Sequence, residues 1–228
     1  MQVNVEYRPA FALAKVGLDP GEAIVAEAGA MVAMSDGLEL ETKARGGFLK
    51  SLARSALGQE SFFLNTFQAP AGGQIFLAPA LPGDMRVLEL SGETLMVQSG
   101  SFIASSPTVE VDTKWGGAKT FFASEGLIML KVHGSGTLIV SSYGAIDEIE
   151  LGPGETFTVD TGHLVTFTEG IGFRVRKVGS WKSTIFGGEG LVVDLTGPGT
   201  LTLQSRSEDA FLRWLIPQLP SQNASGGG

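Results

Sequence analysis

Residues 92–117 read GETLMVQSGSFIASSPTVEVDTKWGG, and the same pattern is written twice more. Residues 21–46 read GEAIVAEAGAMVAMSDGLELETKARG and residues 154–179 read GETFTVDTGHLVTFTEGIGFRVRKVG. The three copies align without a gap. Gly21, Gly92 and Gly154 open them, Glu22, Glu93 and Glu155 follow, and Gly46, Gly117 and Gly179 close them. Gly29, Gly100 and Gly162 share one offset, as do Lys43, Lys114 and Arg176. Self-similarity at a period of roughly 60–70 residues marks one supersecondary unit repeated along the chain.

Working outward, each copy carries the period-two alternation of a half-buried strand. One strand is expected at residues 24–28, 95–99 and 157–161. It ends at the shared glycine, which is expected to take a positive φ. Further strands are expected at 31–34, 102–104 and 164–167, and at 38–42, 109–113 and 172–175. After a connector of variable length comes an apparent hairpin, with arms at 61–67 and 74–78, at 127–133 and 137–141, and at 191–196 and 200–203. Its tips, Ala71-Gly72-Gly73, Gly134-Ser135-Gly136 and Gly197-Pro198-Gly199, have tight-turn chemistry. Glu60, Glu125 and Glu189 stand just before the first arm each time.

Two strands at residues 3–7 and 11–15 precede the first copy. Two segments break the β pattern. In residues 47–58, Phe48, Leu49, Leu52 and Ala56 fall near helical spacing, which predicts a short amphipathic helix. Residues 208–216 predict a second helix, with Phe211, Leu212 and Leu215 on one face and Pro217 ending it. The expected organisation is therefore a single β domain over residues 1–220, with repeats at 19–91, 92–153 and 154–206. A flexible tail at 221–228 completes it.

The 228 residues include 32 glycines and no cysteine, which favours a turn-rich β protein and removes disulfides, thiolate metal sites and cysteine nucleophiles. The net charge of −8 opposes whole-molecule attraction to nucleic acid or anionic lipid, while a local basic patch stays open. Glu6, Arg8 and Lys15 interrupt the N-terminal apolar residues, unlike a signal peptide. No segment reaches the roughly 20 apolar residues of a bilayer span. A cytoplasmic location is expected, with a membrane-peripheral one left open.

Most catalytic templates fail on inventory. The two histidines, His133 and His163, form no HxH or HxxxH pair, and neither GxSxG nor a phosphate-binding glycine loop occurs. No cofactor and no metal are expected. Glu60, Glu125 and Glu189 are read as structural acids that fix the connectors. In an alternative reading they converge to bind a metal or small molecule, in a protein that is a candidate enzyme.

The basic residues concentrate at the end of the third strand and in the connectors. They are Lys43, Arg45, Lys50 and Arg54, then Lys114 and Lys119, then Arg174, Arg176, Lys177 and Lys182. Trp115 and Trp181 lie among them. Cations interleaved with large apolar groups on loops suit an anionic bilayer surface or an acidic groove of a protein partner. Stacking on nucleic-acid bases is a weaker reading.

The run Phe186-Gly187-Gly188-Glu189-Gly190-Leu191, then Leu195-Thr196-Gly197-Pro198-Gly199 and Leu203-Gln204-Ser205, together with Glu27-Ala28-Gly29-Ala30-Met31 near the start, resembles a known family. It is the family named for mitochondrial biogenesis and altered inheritance of mitochondria, and the likeness covers almost the full length. The resemblance implies an all-β, double-stranded β-helix-like fold, grouped with the tryptophan RNA-binding attenuator protein. It also implies a ring-like homo-oligomer, a trimer first among the options. It brings no catalytic residue, and the attenuator's RNA binding does not follow from a shared fold. The resulting expectation is a non-enzymatic scaffold that presents a repeated basic–aromatic face to a membrane surface or a protein partner.

Overall fold

The computed structural model describes residues 1–41, 64–112, 128–177 and 191–219. Within them the protein is mainly β, built from antiparallel sheets with one short helix. The helix expected at 47–58 lies outside the described residues. The C-terminal one is present as α1 (Glu208–Leu215), capped by the Ser207 hydroxyl, which accepts from Ala210 N.

β1 (Gln2–Glu6) lies against β2 (Leu13–Leu18), whose Ala14, Val16 and Leu18 point into the core. In the first third of the chain, β2, β7 (Gly73–Leu77) and β4 (Met31–Met34) make one three-stranded ladder. β3 (Glu22–Glu27), β6 (Leu64–Ala69) and β5 (Glu39–Glu41) make another. The middle third writes the same two ladders with bent long strands, β8 (Met85–Gln98) and β11 (Met129–Ser141). β9 (Phe102–Ser105) joins the C-terminal half of β11, and β10 (Val109–Asp112) its N-terminal half. In the last third, β12 (Ile146–Leu151), β17 (Gly199–Gln204) and β14 (Leu164–Thr168) form one ladder. β13 (Thr156–Asp160), β16 (Leu191–Thr196) and β15 (Gly172–Lys177) form the other.

The hairpins expected from the glycine-rich tips are not hairpins. The two arms never pair with each other: β6 joins β3 and β5 while β7 joins β2 and β4, and β16 and β17 divide in the same way. In the middle third the arms are one strand, β11, that turns a corner at its tip. The register slips between His133 and Ser135, and Gly134 and Gly136 have φ of 119° and 138°. A Cβ on Gly134 would stand 2.6 Å from the Thr108 carbonyl oxygen. The glycines thus re-aim the chain from one sheet to the other instead of folding it back on itself.

The shared glycine at the end of the first predicted strand also needs correction. Gly29 has a φ of 98°, but Gly100 and Gly162 lie in single 3-10 turns without positive φ. Gly162 is required by proximity: a Cβ there would lie 2.6 Å from the Ser207 hydroxyl. The glycines that share a positive φ are Gly21, Gly92 and Gly154, at 85°, 108° and 76°.

The thirds are joined edge to edge. β9 pairs with β3, and β14 pairs with the second half of β8. Their apolar faces merge as well: Ile103 and Ile139 of the middle third pack with Ile24, Ile75 and Leu77 of the first. Met96 and Met129 pack with Leu164, Phe167 and Leu201 of the last. Burial of each such side chain is worth about 1.5–3 kcal/mol. No described helix is long and apolar enough to cross a membrane.

Candidate functional site

The ladders fix where the connectors leave the sheets. Glu41 stands opposite Thr66, Asp112 opposite Lys131, and Lys177 opposite Leu191. Each connector therefore departs from, and returns to, the same corner of its ladder. Lys43, Arg45, Lys50, Arg54, Lys114, Trp115, Lys119, Trp181 and Lys182 lie outside the described residues, as do Glu60, Glu125 and Glu189. Arg174, Arg176 and Lys177 are placed on β15.

Strand alternation puts Arg174 and Arg176 on the outward face, and both are exposed. Arg176 is not a free cation. Its Nε donates to Asp194 Oδ2 at 2.7 Å and its Nη2 to Oδ1 at 3.0 Å, while Thr158 Oγ1 donates to Asp194 Oδ1 at 2.7 Å. The Arg176 and Thr158 hydrogen bonds hold the Asp194 carboxyl below the usual carboxylate range, and Asp194 in turn raises Arg176. Lys177 is exposed and, among the described residues, makes no ion pair.

The equivalent strand ends in the other thirds carry the opposite sign. Glu39 and Glu41 stand on β5, and Glu110 and Asp112 on β10. Basic character at the connector roots is thus a property of the last third. In the first two, acidic strand ends precede connectors whose cations begin at Lys43 and Lys114.

Other polar groups sort into structural roles. His163 Nδ1 lies 2.7 Å from the Gln204 carbonyl oxygen, and half-buried His133 lies 3.8 Å from Glu110. Glu22, Glu93 and Glu155, which the sequence alone suggests as solvated strand starts, each close a local backbone turn instead, Glu93 doing so within β8. Their carboxylates accept the backbone N–H of Asp19, Ser91 and Gly152 at 2.8, 2.8 and 3.0 Å. Asp84, whose side chain is only 5% exposed, takes a bidentate pair of bonds from Arg8 at 2.7 and 2.9 Å and one from Met85 N at 2.8 Å. No local pattern could have found that pair, because its members are 76 residues apart.

A separate cleft of roughly 310 Å³ opens between the end of β3, the segment after β7, the corner after β11 and the start of α1. Glu27, Tyr143, Gln204 and Glu208 line it, and no predicted site residue does. Gln204 already uses its amide, donating to Gly162 O at 2.9 Å and accepting from Tyr143 N at 2.8 Å. Among the described residues, no group of three His, Asp or Glu side chains could hold a metal ion.

Known proteins resemble the chain at the level of sequence and of fold. The family described as mitochondrial biogenesis AIM24 matches residues 3–206. An uncharacterised protein of Streptococcus pyogenes serotype M6 is 26% identical over 231 residues, covering 98% of this chain and 93% of that protein. A crystal structure of a Streptococcus pyogenes protein superposes with a TM-score of 0.79 at 26% identity, covering 96% of this chain and 99% of that one.

Proposed function

This chain belongs to the mitochondrial biogenesis AIM24 family, and on that premise we propose that it works as a non-enzymatic scaffold. It presents its basic–aromatic connectors as a repeated face to an anionic surface, of a membrane or of a protein partner. The observation that carries this reading is the common root of the three connectors at the β5–β6, β10–β11 and β15–β16 ends. Cations rooted at equivalent corners act together, and an oligomer multiplies them further. The reading includes one domain of three repeats in a double-stranded β-helix-like arrangement of the attenuator-protein type. The recurrence of the same two ladders, and the cores shared between thirds, support that part. It also includes a ring-like homo-oligomer, a trimer first among the options.

Acidic strand ends at Glu41 and Asp112 narrow the face to the connectors and the end of β15. Arg176 is therefore a poor probe, because its loss frees Asp194. The test is co-sedimentation with anionic and with neutral vesicles, at low and high salt. It compares the wild-type chain with a Lys43→Glu, Lys114→Glu, Lys177→Glu variant. Capture by anionic vesicles alone, weakened by salt and lost in the variant, is the expected result. A variant that binds as well as the wild type would remove the connectors from the account. If neither chain binds vesicles, the membrane surface is dropped and the search moves to protein partners.

A further inference from the structure

The junction of the first and second thirds and that of the second and third share a backbone but differ at one polar position. In the gapless alignment the 3-10 turn at Ser99–Ser101 is the counterpart of that at Thr161–His163. Gln98 and Asp160 lead into the two turns at φ of −64° and −62°, and Phe102 and Leu164 lead out at −77° and −76°. The strands beside the turns match as well. Phe102 faces Val140 where Leu164 faces Leu203, and Ser105 faces Leu138 where Phe167 faces Leu201. Ser141, which follows Val140, is therefore the counterpart of Gln204, which follows Leu203.

At the later junction the glutamine is a bridge. Its carboxamide nitrogen donates to Gly162 O at 2.9 Å and its carboxamide oxygen accepts from Tyr143 N at 2.8 Å. One planar donor–acceptor group thus spans from the 3-10 turn to the segment that leaves the preceding third. The earlier junction has the same two walls, Gly100 in its turn and Ala80 and Leu81 in the segment after β7. Between them the chain supplies only the hydroxymethyl group of Ser141. What remains is the cleft of roughly 310 Å³, which Gly100, Ala80, Leu81 and Ser141 all line.

The polar groups on its walls match what is missing. Ser141 is 2% exposed, and among the described residues its hydroxyl has no hydrogen-bond partner, where a buried hydroxyl is normally paired. The N–H groups of Ala80 and Leu81 find no acceptor among the described residues. The matched turn geometry aims the Gly100 carbonyl as that of Gly162 is aimed. Glu27 and Glu208 line the same cleft and disfavour an anion there. We propose that this cleft binds a small primary carboxamide in the place that the Gln204 side chain fills at the other junction. The amide nitrogen donates to Gly100 O, and the amide oxygen accepts from the N–H of Ala80 or Leu81, beside the Ser141 hydroxyl. A carboxylate of the same shape lacks the donor and meets two acids, and a tertiary amide lacks the donor. The site is apart from the connectors and does not rest on the proposed function.

The probe is L-alaninamide, titrated into the isotope-labelled chain while backbone amide resonances are followed by NMR. L-alanine and the N,N-dimethylamide of L-alanine are the controls. Alaninamide is expected to give saturable shifts at Ala80, Leu81 and Gly100, and the two controls to bind at least about tenfold more weakly, as the loss of one hydrogen bond implies. Ser141→Gln supplies the carboxamide from the chain itself. That variant is expected to be folded by circular dichroism, to melt above the wild type, and to give no alaninamide shifts at these positions. Absence of saturable shifts in the wild type overturns the proposal. So do shifts that miss the cleft, equal binding of either control, or a folded Ser141→Gln chain that binds alaninamide as the wild type does. Should the variant fail to fold, the three probes on the wild type decide the matter alone.

Discussion

β4 and β14 hold the same place in their thirds, pair with the equivalent strands β7 and β17, and carry the same bulge. Yet all four residues of β4 are exposed, while Leu164, Val165, Thr166 and Phe167 are buried. Local sequence makes both into strands. What separates them is whether another third stands alongside. β14 has β8 beside it, and nothing among the described residues occupies that place next to β4. Burial in this protein is therefore a property of position in a series, and an exposed apolar strand here marks the end of the series.

The largest effect that would sharpen this contrast comes from truncating equivalent residues. Phe167→Ala empties a filled junction and is expected to cost about 3–5 kcal/mol in urea unfolding. Its counterpart Met34→Ala, at a side chain that stands exposed, is expected to cost within about 0.5 kcal/mol. Equal costs at the two positions would break the comparison, since β4 would then be as firmly packed as β14.

Next in size is the Arg8–Asp84 pair, which ties the N-terminal arm to the start of the middle third. Burial by itself raises the Asp84 carboxyl, but the bonds from Arg8 and Met85 N–H outweigh it and hold it below the usual carboxylate range. A carboxyl depressed in the folded state adds stability that is complete above its unfolded pKa of about 3.9 and is lost as the pH falls through the folded value. Asp84→Asn is expected to cost about 2 kcal/mol near neutral pH, less than a fully buried pair because Arg8 is half in solvent. The deficit should shrink below about pH 4 in thermal melts. A deficit constant across that range would remove the ionised pair as its cause.

The smallest expected effect tests what the thirds hold in common. Gly21, Gly92 and Gly154 all have positive φ, and a Cβ on any of them would meet nothing within 4 Å. Alanine at each is expected to cost about 1 kcal/mol, through backbone strain alone and to a similar extent. A much larger loss at one of them, by thermal melting, would show that the three turns are not equivalent.

The mainly β character was legible because alternation such as that of Val3 and Val5 with polar neighbours on β1 follows from one face packing on the core. The C-terminal helix was legible from Phe211, Leu212 and Leu215 on one face and from Pro217 at its end. The arms at Gly134 and at Gly197 were misread for a physical reason: glycine signals a sharp change of direction, and a corner between sheets needs the same residues as a hairpin. The turn-closing role of Glu22, Glu93 and Glu155 could have been read from the glycine just before each of them. Of the candidate binding residues, Arg174, Arg176 and Lys177 are placed, and Arg176 turned out to be committed to Asp194. Its partner sits on the adjacent strand, 18 residues away, which charge counting along the chain does not reveal.

By itself the sequence determined the family, the strand-rich composition, and the positions of the turns and of the C-terminal helix. These depend on residue order over a few neighbours, through alternation, capping and glycine's freedom of φ. Only the tertiary structure decided which strands pair, which carboxylate meets which cation, and which apolar strands are covered. Val32 and Val165 are the same residue in the same local setting, exposed in one place and buried in the other. The difference lies in what the fold brings up beside each of them, and pairing between distant strands is not written in either one's neighbourhood.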